Sequence, residues 1–417
     1  MHDFHFKNKE LYCENIPVAD IAQAVGTPFY LYSHKTLLDH FLKIQTAFAA
    51  VDPVICFAMK ANGNLAVLKA LVKAGAGLDI VSGGELKKAW KIQADPQKIV
   101  YASVGKTDEE ILAALKTGIL FFNVESSAEL ERINHIAEKG GMTAPVAIRI
   151  NPDVEATTHE FITTGTLKNK FGIDLTSAKQ LLKESGKQAH IRIIGLHIHI
   201  GSQIVDSAPF IKAITRVTEF IEELKTEGVT IEYLDIGGGL GIIYKDEKPQ
   251  TAQEFAEAVL PCLKKSGLKI IMEPGRFIAG NAGILVTKVL YFKDNGYKKF
   301  LIVDGGMNDL IRPSFYGAYH EIVPVQETPG PAVQLDVVGP ICESGDFLGK
   351  ARQLPVLPPG ALLAVMSAGA YGFAMSSNYN ARCRVPEVMV SGNQYAVVRE
   401  RETFEDLIRG EKIPEFL

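Results

Sequence analysis

The sequence IEYLDIGGGLG, residues 231–241, joins a short apolar, β-branched run to four glycines in five positions. A run of this kind is typical of a strand that is buried on both faces of a parallel sheet. Similar runs occur at residues 53–59, 77–81, 98–102, 119–124, 145–150, 193–200 and 269–272. The chain therefore predicts a parallel sheet of about eight strands.

The segments between these runs have apolar residues at helical spacing and carry start and stop signals for helices. One of them begins at Ser127, has Glu129 and Glu131 in its first turns, and ends at Gly140 and Gly141. Strands that alternate with helices in this way favour a (β/α)8 barrel of the TIM type. A doubly wound open sheet is the alternative.

The pattern changes after residue 280. Strand-like runs such as FLIVDGG and QYAVVRE are separated by Gly, Pro and Asn, and most have no helical segment between them. This composition is typical of a mainly β domain. We therefore predict a barrel over residues 27–280 and a β-sheet domain over residues 281–417, which residues 1–26 join with an edge strand.

Composition excludes several classes of partner. The 417 residues include 44 Lys and Arg against 48 Asp and Glu, so the net charge of −4 favours neither nucleic acid nor an anionic membrane as a partner. The most apolar stretch, residues 361–375, is too short for a membrane helix. Five widely spaced cysteines without a CxxC pair indicate a reducing, cytoplasmic environment.

In a barrel of this type the functional side chains stand at the carboxyl ends of the strands. Lys60, after the first run, is either a surface lysine or a desolvated amine that can form an imine with an aldehyde. Glycines 237–241 either form a tight turn or bind a phosphate. Glu273, after the last run, either joins a core ion pair or faces a ring nitrogen, which it would keep protonated.

A pair of histidines raises a different possibility. His197 and His199 are two residues apart, so on a strand they would share one face. Such a pair binds metal in some barrel hydrolases, but the sequence offers few further ligands. His199 could instead stack on an aromatic cofactor, or either histidine could be a core residue.

Several longer motifs carry a family resemblance. In the barrel they are FAMKAN at 57, NKFGI at 169, GLHIHIGSQ at 195, DIGGGLG at 235 and EPGR at 273. In the second domain they are RPSFYGAYHEI at 312, CESGD at 342 and GAYGFAMSSNYNARCRVPEVMV at 369. With these motifs, nearly the whole chain resembles the fold-type III pyridoxal-phosphate decarboxylases.

The resemblance implies that the barrel binds pyridoxal 5'-phosphate. Lys60 would hold it as an imine, His199 would stack on its pyridine ring, and Glu273 would pair with the ring nitrogen. Gly237, Gly238 and Gly239, with the backbone of Gly275 and Arg276, would hold the phosphate. The predicted cofactor site also includes Asp79, Ser202, Pro274 and Tyr371.

The resemblance also assigns substrate residues, namely Arg276, Arg312, Tyr316, Glu343 and Tyr371. Cys342 would be the acid that protonates the carbanion of the product. Its alternative is a small buried apolar residue, against which the neighbouring Glu343 argues. Cys342, Lys60, His199 and Glu273 are the predicted catalytic residues.

These assignments predict decarboxylation of an α-amino acid. A carboxylate at the ring nitrogen keeps that nitrogen protonated and makes the ring a strong electron sink. In the related racemases the resemblance implies an arginine at this position and a weaker sink, so Glu273 favours decarboxylation over racemisation. Arg312 or Arg276 suits a distal carboxylate and Glu343 suits a distal ammonium, so the expected small-molecule substrate has two amino-acid heads and the expected product is lysine. In this family the active site lies at a subunit interface, so a homodimer is expected.

Two further alternatives remain open. One is a decarboxylase of the same fold that acts on arginine, ornithine or a carboxylated polyamine. The other is a non-catalytic regulator that binds the cofactor, although such a protein would be expected to have lost Lys60 or Cys342.

Overall fold

A computed structural model describes residues 2–154, 170–185 and 188–417. The motif NKFGI therefore lies partly outside the described residues, because it begins at residue 169. The chain divides into two compact units: a barrel unit of residues 38–243 and 247–278, and a β unit of residues 1–37, 244–246 and 279–417.

The N-terminal segment belongs to the β unit. Its elements are β1 (Phe4–Lys7), β2 (Glu10–Cys13), β3 (Ile16–Pro17), α1 (Val18–Val25) and β4 (Phe29–Ser33), followed by α2 (His34–Ala47), with which the barrel unit begins. Strands β1 to β3 form a small antiparallel sheet of their own. The β unit runs to residue 37, past the predicted boundary at residue 26, because β4 pairs with strands from the end of the chain.

The eight predicted runs form a closed parallel barrel. Its strands are β5 (Val54–Ala58), β6 (Gly77–Ile80), β7 (Ile99–Tyr101), β8 (Phe121–Val124), β9 (Ala144–Asn151), β11 (Ile191–His197), β12 (Tyr233–Asp235) and β13 (Lys269–Met272), with the short β10 (Ile173–Asp174) beside β9. The ring closes where β13 pairs with β5 and β8 pairs with β9. Closure excludes the open sheet and confirms the predicted barrel.

The barrel helices follow the strands in the predicted order. They are α3 (Leu65–Lys73), α4 (Gly83–Lys91), α5 (Asp108–Thr117), α6 (Ser127–Lys139), α7 (Leu175–Ser185), α8 (Ala208–Thr226), α9 (Ala252–Ser266) and the short α10 (Arg276–Ala279). Their ends have local causes. The Ser126 side chain accepts a hydrogen bond from the Glu129 N–H at the start of α6, and Thr107 and Glu110 form a capping box on α5.

The strands are apolar because they are buried on both faces. Every residue of β6 and β8 is buried, and Cys56, Val100 and Phe121 lie in one core cluster inside the barrel unit. On the outside, α6 turns Leu130, Ile133 and Ala137 toward this unit's interior.

The β unit contains two further helices and the remaining strands. In chain order they are β14 (Gly283–Asp294), β15 (Lys299–Val303), α11 (Arg312–Tyr316), β16 (Ile322–Pro324), β17 (Ala332–Val338), β18 (Phe347–Pro355), β19 (Leu362–Val365), β20 (Glu387–Ser391), β21 (Gln394–Arg399) and α12 (Phe404–Leu407). The main sheet has the order β18-β17-β15-β14-β4-β20-β21.

The edge strand expected from residues 1–26 differs from what is observed, because the strands of that segment, β1 to β3, form a separate sheet. Strand β4, whose residues 29–33 were predicted to begin the barrel, joins the main sheet instead. It lies between β14 and β20, antiparallel to the first and parallel to the second, and every one of its residues is buried. The sequence FYLYS gives the reason, because four large side chains need cover on both faces. No helix in the described part of the chain is both long enough and apolar enough to cross a membrane.

Helix α3 offers a paired test of the barrel packing. Leu71 is completely buried on this helix, whereas Leu65 is 39% exposed. We expect Leu71→Ala to lower the free energy of unfolding by about 3 kcal/mol, since it removes buried methyl groups and leaves a cavity. Leu65→Ala should cost less than about 1 kcal/mol. Urea denaturation followed by circular dichroism measures both, and equal losses would show that the inner face of α3 is not packed as described.

Candidate active site

The carboxyl ends of the barrel strands bring five charged or polar side chains into one region. Lys60 lies two residues after β5, Asp79 lies in β6, and Glu273 follows β13 directly. His197 and Asp235 are the last residues of β11 and β12. The barrel register therefore gathers residues that are far apart in the chain.

Lys60 and Asp79 form an ion pair. Lys60 Nζ lies 2.5 Å from Asp79 Oδ2, and the Lys60 side chain is 38% exposed whereas Asp79 is fully buried. Burial raises the pKa of Asp79 to about 7, with a further rise from Glu273, while Lys60 opposes the shift. Asp79 thus holds the Lys60 amine at the carboxyl ends of the barrel strands.

Glu273 is a buried carboxylate with two neighbours. Asn123 Nδ2 donates a hydrogen bond of 3.1 Å to its Oε1, and His197 Nε2 lies 3.4 Å from its Oε2. Burial acts to raise the pKa of Glu273, but His197 and Lys60 outweigh it and lower that pKa below its ordinary value. Glu273 therefore stays ionised in the interior.

Asp235 is a buried carboxyl group near Glu273, and its pKa is shifted in the opposite direction. Burial raises the pKa of Asp235 well above the ordinary value, and the negative charge of Glu273 raises it further. Its Oδ1 accepts a hydrogen bond of 2.9 Å from the Gly237 N–H. The shift of Asp235 thus has the direction expected for a carboxyl group buried beside an anion.

His199 is held as a neutral ring. Its Nδ1 accepts a 3.3 Å hydrogen bond from the Gly238 N–H, so in the neutral ring the proton is on Nε2. Burial lowers the pKa of His199 well below its ordinary value, and Arg149 and Lys60 lower it further. The prediction that both histidines share a strand face is wrong, because β11 ends at His197.

The glycine run forms a tight backbone turn. Gly237 and Gly239 have φ angles of +67° and +113°, which disfavour a side chain, and a Cβ on Gly238 would lie 2.2 Å from the Glu273 carbonyl oxygen. The N–H groups of Gly237 and Gly238 already bond Asp235 and His199. These two glycines therefore shape the turn, and the phosphate contact predicted for them stays a prediction.

Ser202 and Arg276 meet at the same end of the barrel. The Ser202 hydroxyl oxygen accepts from Arg276 Nη2 at 3.0 Å and from Nε at 3.3 Å. Arg276 is buried and begins α10, directly after Pro274 and Gly275. This pair fixes the side chain of Arg276 at the start of α10, next to Gly275.

Three buried residues at the Glu273 carboxylate were absent from the sequence prediction or misjudged there. The sequence analysis gives Asn123 and Asp235 no role, and it treats His197 as a metal ligand or a core residue without naming Glu273 as its partner. A signal did exist, because Asn123 is a lone amide in the run ILFFNV and Asp235 is a lone acid in IEYLDI. A buried polar residue within an apolar strand needs a partner, although its sequence does not name that partner.

A second buried ionic cluster was also missed. Lys106 is fully buried, ion-paired with Glu129 at 2.6 Å, and donates to the Asn123 carbonyl oxygen at 2.8 Å. Arg149 pairs with Glu125 at 2.7 Å on the neighbouring strand end. Lys106 thus fixes the backbone of the residue whose side chain supports Glu273.

The predicted residues of the second domain lie in the β unit. Arg312 is buried and begins α11, where its Cζ lies 5.7 Å from the centre of the Tyr316 ring. Tyr371 is half-buried and has a φ angle of +57°, a strained conformation for a non-glycine residue.

Cys342 and Glu343 are exposed on a loop that a buried carboxylate holds. Asp346 accepts hydrogen bonds from the backbone N–H groups of Ile341 and Met307 at 2.6 and 2.7 Å. The Cys342 N–H donates to Asn380 Oδ1 at 2.9 Å. The loop therefore presents an accessible thiol and carboxylate on a fixed backbone.

Comparison with known proteins agrees with this geometry. Residues 34–280 match the family model described as pyridoxal-dependent decarboxylase, pyridoxal binding domain. A diaminopimelate decarboxylase of Aquifex aeolicus is 48% identical over 97% of this chain and 96% of its own length.

Two solved structures are similar over almost the whole chain. The diaminopimelate decarboxylase of Helicobacter pylori, complexed with L-lysine, is 42% identical with a TM-score of 0.91, covering 94% of this chain and 98% of that one. The enzyme of M. jannaschii, also with L-lysine, is 38% identical with a TM-score of 0.95, covering 99% and 98%.

The match to this family model over more than half of the chain places the protein among the pyridoxal-dependent decarboxylases. Within that class it belongs to the diaminopimelate decarboxylase family.

The barrel residues fit the cofactor of this class. Lys60 offers an amine, Glu273 an ionised partner for a ring nitrogen, and the turn at Gly238 leaves no room for a side chain. Among the described residues, Asp79 Oδ1 and Asn123 Oδ1 are buried without a hydrogen-bond partner, which is costly unless a ligand supplies one. We take these unpaired atoms as support for pyridoxal phosphate at this end of the barrel.

The glycine turn gives a test of this site. In Gly238→Ala the new Cβ would meet the Glu273 carbonyl oxygen, so the turn must shift. Overpacking of this size typically costs 1–3 kcal/mol, and we expect cofactor affinity to fall about tenfold or more. Gly105→Ala is the control, because its Cβ would have nothing within 4 Å. Absorbance titration with pyridoxal phosphate measures both; unchanged affinity in Gly238→Ala would contradict the role of the turn.

Proposed function

We propose that this protein decarboxylates meso-2,6-diaminopimelate to L-lysine and carbon dioxide, the last step of lysine biosynthesis, in the cytoplasm. The observation that carries the proposal is the ionised Glu273, supported by Asn123 and His197. The absence of any disulfide among the five cysteines fits a reducing compartment.

Bound pyridoxal phosphate supplies an electron sink for the pair left at Cα when carbon dioxide departs. Glu273 would pair with the ring nitrogen and would keep it protonated, because an adjacent carboxylate favours the cationic form. Lys60 supplies the anchoring amine, and Asp79 orients it. His199, neutral and fixed by Gly238, offers a flat face on which the ring can stack.

The backbone of Gly237, Gly238 and Gly239, with that of Gly275 and Arg276, would hold the phosphate. The positive φ angles of Gly237 and Gly239 and the close approach at Gly238 support this assignment, because such a turn presents backbone rather than side chains.

The β unit supplies the substrate contacts. Arg312 binds the distal carboxylate and Glu343 binds the distal ammonium. Tyr316 and Tyr371 are further proposed substrate residues of this unit, and Arg276 is one in the barrel unit. Cys342 delivers the proton to Cα after carbon dioxide leaves, which its exposed position allows.

We further propose that the protein is a homodimer whose active sites form between subunits, with Cys342 and Glu343 supplied by the partner. The exposure of both residues on a loop held by Asp346 supports this arrangement. Light scattering of the purified protein measures the mass, and a monomer at working concentration would contradict the proposal.

The substrate is tested by measuring carbon dioxide release from meso-diaminopimelate, ornithine and arginine in parallel. Diaminopimelate should be preferred, because Arg312 and Glu343 suit a distal zwitterion. Preference for either other amino acid would overturn the substrate assignment in favour of a related decarboxylase. A protein that binds the cofactor without turnover on any of the three would be a regulator. The metal content of the purified protein tests the metal-hydrolase alternative, which a content near zero would dismiss.

Lys60→Ala should abolish turnover and the absorbance band of the bound cofactor near the edge of the visible range, since the anchoring amine is gone. Borohydride should attach the cofactor to the Lys60 peptide of the wild type only. Lys91→Ala, at an exposed position at the end of α4, is the control and should retain both properties. A labelled peptide elsewhere in the chain would identify a different anchor.

Cys342→Ala should lower kcat by about 10²-fold or more, the usual contribution of a general acid, while cofactor affinity stays unchanged. Mixing this variant with Lys60→Ala tests the shared site, because a mixed dimer regains one intact site. Recovery of about a quarter of wild-type activity is expected from random pairing of the two subunits. No recovery, despite subunit exchange shown by a tagged subunit, would place both residues in one chain.

A further inference from the structure

A buried histidine lies directly behind Arg312. His320 is fully buried in the β unit, and its Nδ1 is 2.9 Å from the Met366 carbonyl oxygen. A carbonyl oxygen only accepts hydrogen bonds, so Nδ1 carries the proton. The neutral ring then has its lone pair on Nε2, which accepts a 3.3 Å hydrogen bond from Arg312 Nε.

Aromatic rings flank the same arginine. Arg312 Cζ lies 5.4 Å from the centre of the Tyr244 ring and 5.7 Å from that of Tyr316. The Tyr244 ring meets the His320 ring edge-on, with centres 5.2 Å apart. We call Arg312, Tyr244, Tyr316 and His320 the arginine cluster. Each contact limits the rotation of a guanidinium that would otherwise sample many rotamers.

We propose that His320 is a positioning residue for substrate specificity, which holds the Arg312 guanidinium in the orientation that binds the distal carboxylate of the substrate. This inference deepens the proposed function and rests on it. Because Nε is bonded to His320, a carboxylate held by two hydrogen bonds must approach Nη1 and Nη2. His320 thus determines which edge of the guanidinium binds the carboxylate.

The energetic reason is preorganisation. An arginine fixed before binding loses less side-chain entropy when the carboxylate arrives. A hydrogen bond to a charged group contributes more than one between neutral groups, so its loss affects affinity measurably. The effect should appear only with ligands that carry the distal carboxylate.

Two ligands separate this role from a structural one. L-Lysine, the expected product, keeps the distal carboxylate, whereas 1,5-diaminopentane lacks it. We expect His320→Leu in the holoenzyme to weaken L-lysine binding about tenfold, the loss of one charge-assisted hydrogen bond, and to leave diamine binding within about twofold. KM for diaminopimelate should rise about tenfold with kcat within about threefold, and the cofactor absorbance should not change.

A second pair of variants covers the case in which His320→Leu fails to fold. His320→Gln places an oxygen near the position of Nε2 and should keep L-lysine affinity within about threefold of wild type. His320→Asn keeps a donor near Nδ1 but does not reach Arg312, so it should behave as expected for His320→Leu. The control is His190→Leu, which removes a similar 2.9 Å contact between Nδ1 and a carbonyl oxygen, that of Met142, in the barrel unit.

The outcomes are distinct. Selective loss of L-lysine affinity, restored in His320→Gln, supports the proposal. Equal weakening of both ligands, or no change in either, overturns it while the proposed function stands. A wild-type holoenzyme that neither binds L-lysine nor releases carbon dioxide from diaminopimelate overturns the proposed function and this inference with it.

Discussion

A carboxylate that must stay ionised inside the barrel constrains the whole site. Burying an unpaired charge costs several kcal/mol, and the usual result is that the group becomes protonated. Here the neighbours of Glu273 oppose this, because Asn123 donates to it, His197 lies 3.4 Å away, and it is the pKa of the nearby Asp235 that rises instead. The charge of Glu273 is thus maintained by the side chains packed around it.

This arrangement needs the barrel. Asn123, His197, Asp235 and Glu273 come from four separate strands, and only closure of the ring fixes all four carboxyl ends at once. Lys106 also supports this arrangement, since it donates to the Asn123 carbonyl oxygen and pairs with Glu129 on α6. The rigidity of the site is therefore a property of the ring as a whole.

Local patterns were enough to predict the strands, the helices with Ser or Thr caps, and the positions of Lys60 and Glu273. They could not predict pairing between distant strands. Asn123 and Asp235 are single polar residues in apolar runs. Their roles depend on Glu273, which lies about 150 residues after the first and about 40 after the second. The glycine run was found, but only the geometry shows that two of its N–H groups bond Asp235 and His199. The place of β4 escaped prediction for the same reason, because its partners lie near the other end of the sequence.

The main β sheet combines strands from the two ends of the chain, which affects the order in which it can form during synthesis. During synthesis β4 leaves the ribosome early, whereas β14 and β20, which flank it, come only after the entire barrel has been translated. Until then a very apolar strand has two unsatisfied edges, the kind of nascent segment that invites non-native association. Domains of high contact order fold slowly, so this sheet should be the last part of the nascent chain to fold. It should also be the part that depends most on chaperones.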